Sequence, residues 1–289
     1  MFGVLRSALS AAALVATLAL APAAHAGSLK DDSGIVVDWS GAYAGIHVGA
    51  AWSQIDTELT DPVLLVFLLD ALGGPTSARH DVDGFLAGGH VGIQRQFGRW
   101  VIGAEASFSG GKLDGRATSD FGGNINFGGG SFEWDGTSST ESKISALLTV
   151  VGRLGYAWDR WHAYAKGGFA SAEIDVRAST DVDFAFCGIA CIPLASIGGA
   201  YSSSERHNGF VLGAGLEYMI TPNVVFGLEY SYTDLEAKTH NGSTSLSVNG
   251  APLGTVDSRM RVDPEAIHAV SARLSFKFGG PAETYETYK

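Results

Sequence analysis

Six ionisable residues share one parity of short alternating segments: Glu105, Arg153, Lys166, Glu217, Glu229 and Arg273. Each stands about four to seven residues from a tight turn, and at ~3.3 Å per residue in tilted strands these heights agree within side-chain reach. Three acids and three bases at one level of a confined interior are predicted to pair, because an unpaired buried charge costs several kcal/mol. Two readings of this belt stand: a plug of ion pairs, or a gateable ion path. Gln94 is a candidate further member. His47 and His90 are placed one layer higher on neighbouring segments. Two imidazoles begin a metal site, but no third ligand accompanies them, so they read as polar filling and neither metal nor cofactor is assigned. Glu105 with Glu217 has the composition of a glycosidase pair, yet a sugar polymer does not fit an interior that side chains fill. Ser202–Ser204, Glu205 and His207 leave a lipid-modifying hydrolase as a weaker alternative.

Two further features carry chemistry of a different kind. Cys187 and Cys191 are the only cysteines. In an exported chain a local disulfide is expected, and no additional ligands support zinc. Val63, Leu64, Leu65, Val66, Phe67, Leu68 and Leu69 form an apolar run inside a polar connection. It is too short to span a bilayer. A helix here buries its apolar residues over the interior's mouth or offers them as a contact surface, since seven consecutive positions cover the whole helical circumference.

Eight segments must position these residues. Period-two alternation runs near 39–52, 85–97, 100–109, 143–158, 160–172, 208–220, 223–233 and 266–278. Tight turns at Phe97-Gly98-Arg99, Asp159-Arg160 and Thr221-Pro222-Asn223 alternate with long connections near 53–83, 110–142, 173–207 and 234–265. Strict alternation of short and long links is the pattern of bacterial outer-membrane barrels. One face of the segment at 143–158 carries Leu148, Val150, Leu154 and Trp158; the opposite faces are mostly Gly, Ser and Ala with isolated charges. A soluble barrel would place Lys and Glu there. Trp100, Trp158 and Trp161 stand beside short turns, where an interfacial aromatic girdle belongs. Ser243–Val248 and Val256–Val262, split by Asn249-Gly250-Ala251-Pro252, are predicted to form a hairpin continuing the last two strands.

The expected architecture is all-β: an eight-stranded antiparallel transmembrane up-and-down β-barrel with four long extracellular loops. Residues 1–26 read as a signal peptide, with Arg6 before an apolar stretch and Ala24-His25-Ala26 as the cleavage site. Residues 27–38 form a periplasmic segment, 39–278 the barrel and 279–289 a periplasmic tail. A formal net charge of −11 argues against nucleic acid as a partner. Glycine, at 39 of 289 residues, is in excess for a soluble enzyme and suits a crowded barrel interior.

The run Asp38-Trp39-Ser40-Gly41-Ala42-Tyr43-Ala44-Gly45 resembles the opening strand of the alphaproteobacterial outer-membrane β-barrel family, the porin-family or outer-membrane immunogenic proteins. Gly152-Arg153-Leu154-Gly155-Tyr156 is similar to that family's central hairpin, and Gly213-Ala214-Gly215-Leu216-Glu217-Tyr218 with Thr221-Pro222-Asn223 is the most specific match. The resemblance covers the eight strands and fails in the long connections. It implies periplasmic termini and an exposed, antigenic loop side, and it carries over no catalytic residue. One departure is the tail after Phe278, where such barrels usually end. The function expected is that of a structural and interaction protein supporting the envelope, not an enzyme, with a small passive pore as the alternative. Its expected partners are outer-membrane lipid and lipopolysaccharide, the barrel-assembly machinery during insertion, and host or cell-surface ligands through the loops.

Overall fold

The computed structural model describes residues 37–278, with the backbone alone at Val63 and Leu64. The signal-peptide cleavage and the tail after Phe278 lie outside the described residues. Ten strands and one helix follow in order: β1 (Gly41–Asp61), α1 (Val63–Ala71), β2 (Ser77–Phe97), β3 (Trp100–Phe127), β4 (Gly130–Trp158), β5 (Trp161–Cys187), β6 (Cys191–Thr221), β7 (Val224–Leu235), β8 (Lys238–Val248), β9 (Ala251–Pro264) and β10 (Ile267–Phe278). All pairings are antiparallel. The three short turns fall where the sequence places them, with Gly98 and Asp159 at positive φ (62° and 51°).

The barrel has two storeys. At the short-turn end, β1 to β7 and β10 close a ring of eight, with Ala42 opposite Phe278 and Val270 opposite Tyr230. Farther along, β8 and β9 replace β7 and β10: Thr244 lies opposite Tyr201 of β6, and Pro264 opposite Ile55 of β1. Two Glu-Ala steps, Glu236-Ala237 and Glu265-Ala266, mark the seam. Ser53 Oγ donates to the Glu265 carbonyl at 2.8 Å where β1 changes partner.

The four long connections, expected as loops, are strand for most of their length. Apart from the two Glu-Ala steps, only the tips around α1, Gly128-Gly129, Gly188–Ala190 and Asn249-Gly250 leave the sheet. The hairpin expected around Asn249-Gly250 is β8–β9. The physical reason for the difference is a reversal of face polarity. Along the lower part of β5, Trp161 and Phe169 point outward while His162, Tyr164 and Lys166 are buried inside. Higher up, the outward row is Glu173, Asp175, Arg177, Asp181 and Asp183, and the inward row contains Ile174, Val176 and Val182. The period of two persists while its sign inverts, because the outside changes from apolar to wet. A search for an apolar outer face therefore stops at the boundary. At ~3.3 Å per residue and a tilt near 40°, the 27 residues of β5 reach roughly 70 Å along the axis, against an apolar band about 25 Å tall.

α1 lies over one side of the upper mouth. Trp134 Nε1 donates to the Leu72 carbonyl at 2.8 Å just after the helix. Leu65, Val66 and Leu69 are half-buried, whereas Phe67 and Leu68 remain 65% and 49% exposed. The run is thus divided between packing and exposure.

Cys187 and Cys191 are joined at the β5–β6 tip, four residues apart. Chain entropy caps the contribution of so small a loop at about 2 kcal/mol. Thiol labelling of the non-reduced, denatured protein is expected to find no free cysteine. Replacing both by serine is expected to leave the urea-unfolding midpoint of the barrel nearly unchanged, because the bridge lies beyond both rings.

Candidate functional site

The interior at the short-turn end gathers six charges at one level. Arg153 Nη2 lies 2.6 Å from Glu217 Oε1, and its Nη1 lies 3.1 Å from Glu105 Oε2. Lys166 Nζ reaches Glu229 Oε1 at 2.6 Å, and Arg273 bridges Glu229 and Glu105. All six side chains are buried. Three carboxylates and three cations make a neutral, closed network in a region with little water to screen them. Arg153 and Lys166 stand directly opposite each other on β4 and β5. Only the acids reaching in from β3, β6 and β7 make that juxtaposition tolerable.

Three residues that sequence reasoning left out complete the belt. Tyr43 accepts from Arg153 at 2.5 Å and donates to Glu105 at 2.8 Å. Tyr164 donates to Glu229 at 2.6 Å, and the Arg153 guanidinium lies 3.8 Å from the centre of its ring. His162 Nδ1 contacts Glu217 Oε2 at 3.0 Å. Their signal was available, for each shares the inward parity of its strand. Glycine makes the room: a side chain at Gly92 would strike the Tyr43 ring, and one at Gly215 the Tyr164 ring. Gln94 is not among the belt's hydrogen-bond partners: it donates to the Trp39 carbonyl at 2.8 Å.

Apolar clusters lie on both sides of the belt, the lower one beside the buried Lys277, which donates to the Asp38 carbonyl. Trp39, Val101, Ala157, Met219 and Val225 form the floor. Above lies a larger core that includes Leu113, Ile144, Ile174 and Ile267. His47 and His90 sit between belt and core, 3.4 Å apart, bonded to Ser109 and Ser275 at 2.8 Å each. These hydroxyls account for the outer nitrogens, and the pair behaves as polar filling. Two cavities lined by lumen residues measure about 10 Å³ beside Arg153 and about 60 Å³ under α1. Each holds at most a few waters.

Outside, Trp100, Trp158 and Trp161 project beside the short turns. Trp100 packs edge-on to Tyr156, and Trp161 tilts against Tyr218. Phe85, Val91, Ile93, Leu154, Leu212 and Leu228 are exposed along the band. No water-facing surface tolerates so many contiguous large apolar groups. On the long-link side the outer face turns charged beyond them, where Arg79 pairs with Asp56 and Arg116 with Glu141.

A second buried polar group sits at the seam, beyond the band, where β6 exchanges β7 for β8. His207 Nδ1 lies 2.9 Å from the Glu236 carbonyl, so it carries the proton and donates. His207 Nε2 then accepts from His240 Nε2 at 2.7 Å, and His240 Nδ1 accepts from the Ser203 hydroxyl at 2.9 Å. With both rings neutral, this is the one placement of protons that satisfies all three contacts. The serine–histidine contact resembles half of a hydrolase dyad, but His207, bonded to a carbonyl, occupies the place of the acid, and His240 is fully buried. Ser202 and Ser204 face outward and take no part.

Two outcomes follow from this geometry. Arg153→Glu adds a fourth carboxylate beside Glu105 and Glu217; with about 3–5 kcal/mol at stake for a broken buried pair, urea unfolding in lipid vesicles should show a much lower midpoint. The second concerns pH. Burial, more than the neighbouring Lys238, holds His207 below the ordinary imidazole value, and burial together with His207 brings His240 down to about 4. The hydrogen bond to the Glu236 carbonyl opposes the shift at His207, and Glu205, Asp175 and Asp263 nearby add to that opposition across the pair without reversing either shift. Both folded values lie below the unfolded one of about 6.5, so the opened seam binds more protons, and stability present above that pH is lost as pH falls from it toward 4. Hydrogen exchange across 238–264 should accelerate beyond its intrinsic pH dependence between pH 7 and 5, and His240→Gln should flatten that response.

Comparison with known proteins agrees with this architecture. The family model described as the outer membrane protein beta-barrel domain matches residues 10–251. The 31 kDa outer-membrane immunogenic protein of Brucella melitensis is 28% identical over 281 residues, covering 93% of this chain and 97% of that protein. The 22 kDa outer membrane protein of Rhizobium leguminosarum bv. viciae is 28% identical over 105 residues, 36% of this chain and 40% of its own length. Among solved structures, the outer membrane protein OprG of Pseudomonas aeruginosa aligns at a TM-score of 0.41 with 11% identity, covering 83% of this chain and 97% of that one. Ail, the attachment invasion locus protein of Yersinia pestis, aligns at 0.31 with 13% identity, covering 83% and 99%. The family match takes in everything from before the first strand to the start of β9, and the chain belongs to the outer-membrane β-barrel protein family.

Proposed function

We propose that this barrel is a structural and interaction protein of the outer membrane rather than a pore or an enzyme. The observation that carries the reading is the lumen, where a neutral ion network lies between two apolar layers. Such an interior contributes rigidity and resists ion flow. The short-turn end faces the periplasm in this reading, and the upper storey stands outside the cell. The ring of outward charges above the apolar band meets lipopolysaccharide headgroups, and the barrel-assembly machinery receives the chain after its signal peptide is removed. The hairpins that tower over the band are the surface offered to other molecules, in keeping with a relative called immunogenic. Catalysis by Ser203 is disfavoured because the imidazole beside it is enclosed.

Planar-bilayer recording of the purified protein tests the closed lumen. No conductance steps are expected. Steps whose ion selectivity changes on Arg153→Met would establish the pore reading instead.

A further inference from the structure

The upper storey is not closed all the way to its tips. The ladder between β2 and β3 ends at Asp83 opposite Asp114. From Gly115 to Phe127, the ladder partner of β3 among the described residues is β4 alone. The far side of the same four-stranded sheet has a second free edge, residues 191–195 of β6, whose ladder partner among the described residues is β5 alone. The two edges differ. The β6 edge carries Pro193, a register shift at its partners Phe184 and Ala185, and the Cys187–Cys191 bridge. Proline and bulges are the usual devices that stop a foreign strand from adding to a sheet. The β3 edge has none of them. Its sequence from Ala117 is Ala-Thr-Ser-Asp-Phe-Gly-Gly-Asn-Ile-Asn-Phe, without proline, lysine or arginine. It is exposed along most of that length.

The two faces of this free strand specify what could pair with it. Phe121, Ile125 and Phe127 lie on the inward face, opposite Gly136, Phe132 and Gly130. Asp120 lies on the outward face, opposite Thr137. Through the register, Glu133, Asp135, Asp181 and Asp183 share that outward face, Asp135 directly opposite Asp183. No lysine, arginine or histidine occurs in 117–135 or 178–200.

We propose that the β3 edge between Thr118 and Phe127 is a docking site for an extended protein segment that adds to the sheet as a further strand. The incoming strand alternates, with apolar side chains on the inward face beside Phe121 and Ile125 and basic side chains on the outward face beside the five carboxylates. Main-chain hydrogen bonds supply the attachment and the two faces supply the selectivity. A second copy in the same membrane is a poor occupant. Copies in one membrane are related by rotation about its normal, so pairing through the same edge sets the apolar face of one against the acidic face of the other. The inference rests on the outward display of the hairpins proposed above.

The test uses the full chain in nanodiscs of zwitterionic lipid and three ten-residue probes. One alternates valine and lysine, one contains the same residues as two blocks, and one alternates valine and glutamate. The alternating basic peptide is expected to bind and to slow amide exchange at Thr118–Phe127, with at least tenfold weaker binding by the other two. Ile125→Lys places a charge on the inward side of an exposed edge and is expected to weaken binding at least tenfold with the thermal melt unchanged. Asp120→Lys, on the wet face, is expected to narrow the preference for the basic peptide over the acidic one. Equal binding of the block peptide, protection elsewhere in the chain, or full binding to both variants would overturn the proposal. Conductance of the same preparation separates the two readings: a conducting barrel that still binds at this edge removes the closed lumen and leaves the docking site.

Discussion

Eight strands closed into a ring leave an interior just wide enough for side chains. Whatever enters must pair or pack there, because water is too scarce to solvate an orphan charge. The belt is the consequence. Arg153 and Lys166 face one another across β4 and β5 and would repel strongly without carboxylates between them. Glu217, Glu105 and Glu229 converge on them from strands distant in sequence, so the ion pairs tie β3, β4, β5, β6, β7 and β10 at one height. Hydrogen bonding fixes the lower storey's circumference, and the belt adds a requirement on register: a slip of one residue in any of these strands turns its charge into lipid.

Above the belt the problem changes sign. Beyond the apolar band the outer surface meets water, and the interior becomes the place for apolar residues. β5 performs that reversal without a break in its twofold period. The seam at Glu236-Ala237 and Glu265-Ala266 lets the last hairpin change neighbours while the ring stays at eight. The His207–His240 chain occupies this seam, where β6 has released β7 and not yet begun its ladder with β8. The Glu236 carbonyl sets the tautomer of His207, the serine hydroxyl adapts at the other end, and the junction is polar, ordered and sensitive to acid.

Legibility varied along the chain for physical reasons. The lower strands and three tight turns were readable because lipid demands an unbroken apolar outer row and aromatic residues mark its edge. The six belt charges were readable because inward parity is a property of the strand itself. Tyr43, Tyr164 and His162 were missed although they share that parity, since an aromatic residue does not announce whether its polar atom has a partner. The upper strands were read as loops because their outer row contains charges and serines. The sign of the alternation had reversed, and its existence was the stronger clue. His240 drew no attention as a lone histidine in a polar stretch; its partner is 33 residues away and meets it only through the β6–β8 pairing.

By itself the sequence determined the period of the lower strands, the turns, the apolar outer face and the parity of the six belt charges, because these depend on residues adjacent along one strand. Tertiary structure alone decided which acid meets which base, where β6 changes partner, how far the barrel rises and which edge stays open. Those outcomes depend on register between strands and on the number of neighbours available at each height. The β3 edge illustrates the difference. Nothing in Thr118–Phe127 distinguishes an internal strand from a free one, and it is unpaired on one side only because the β2 ladder stops at Asp83.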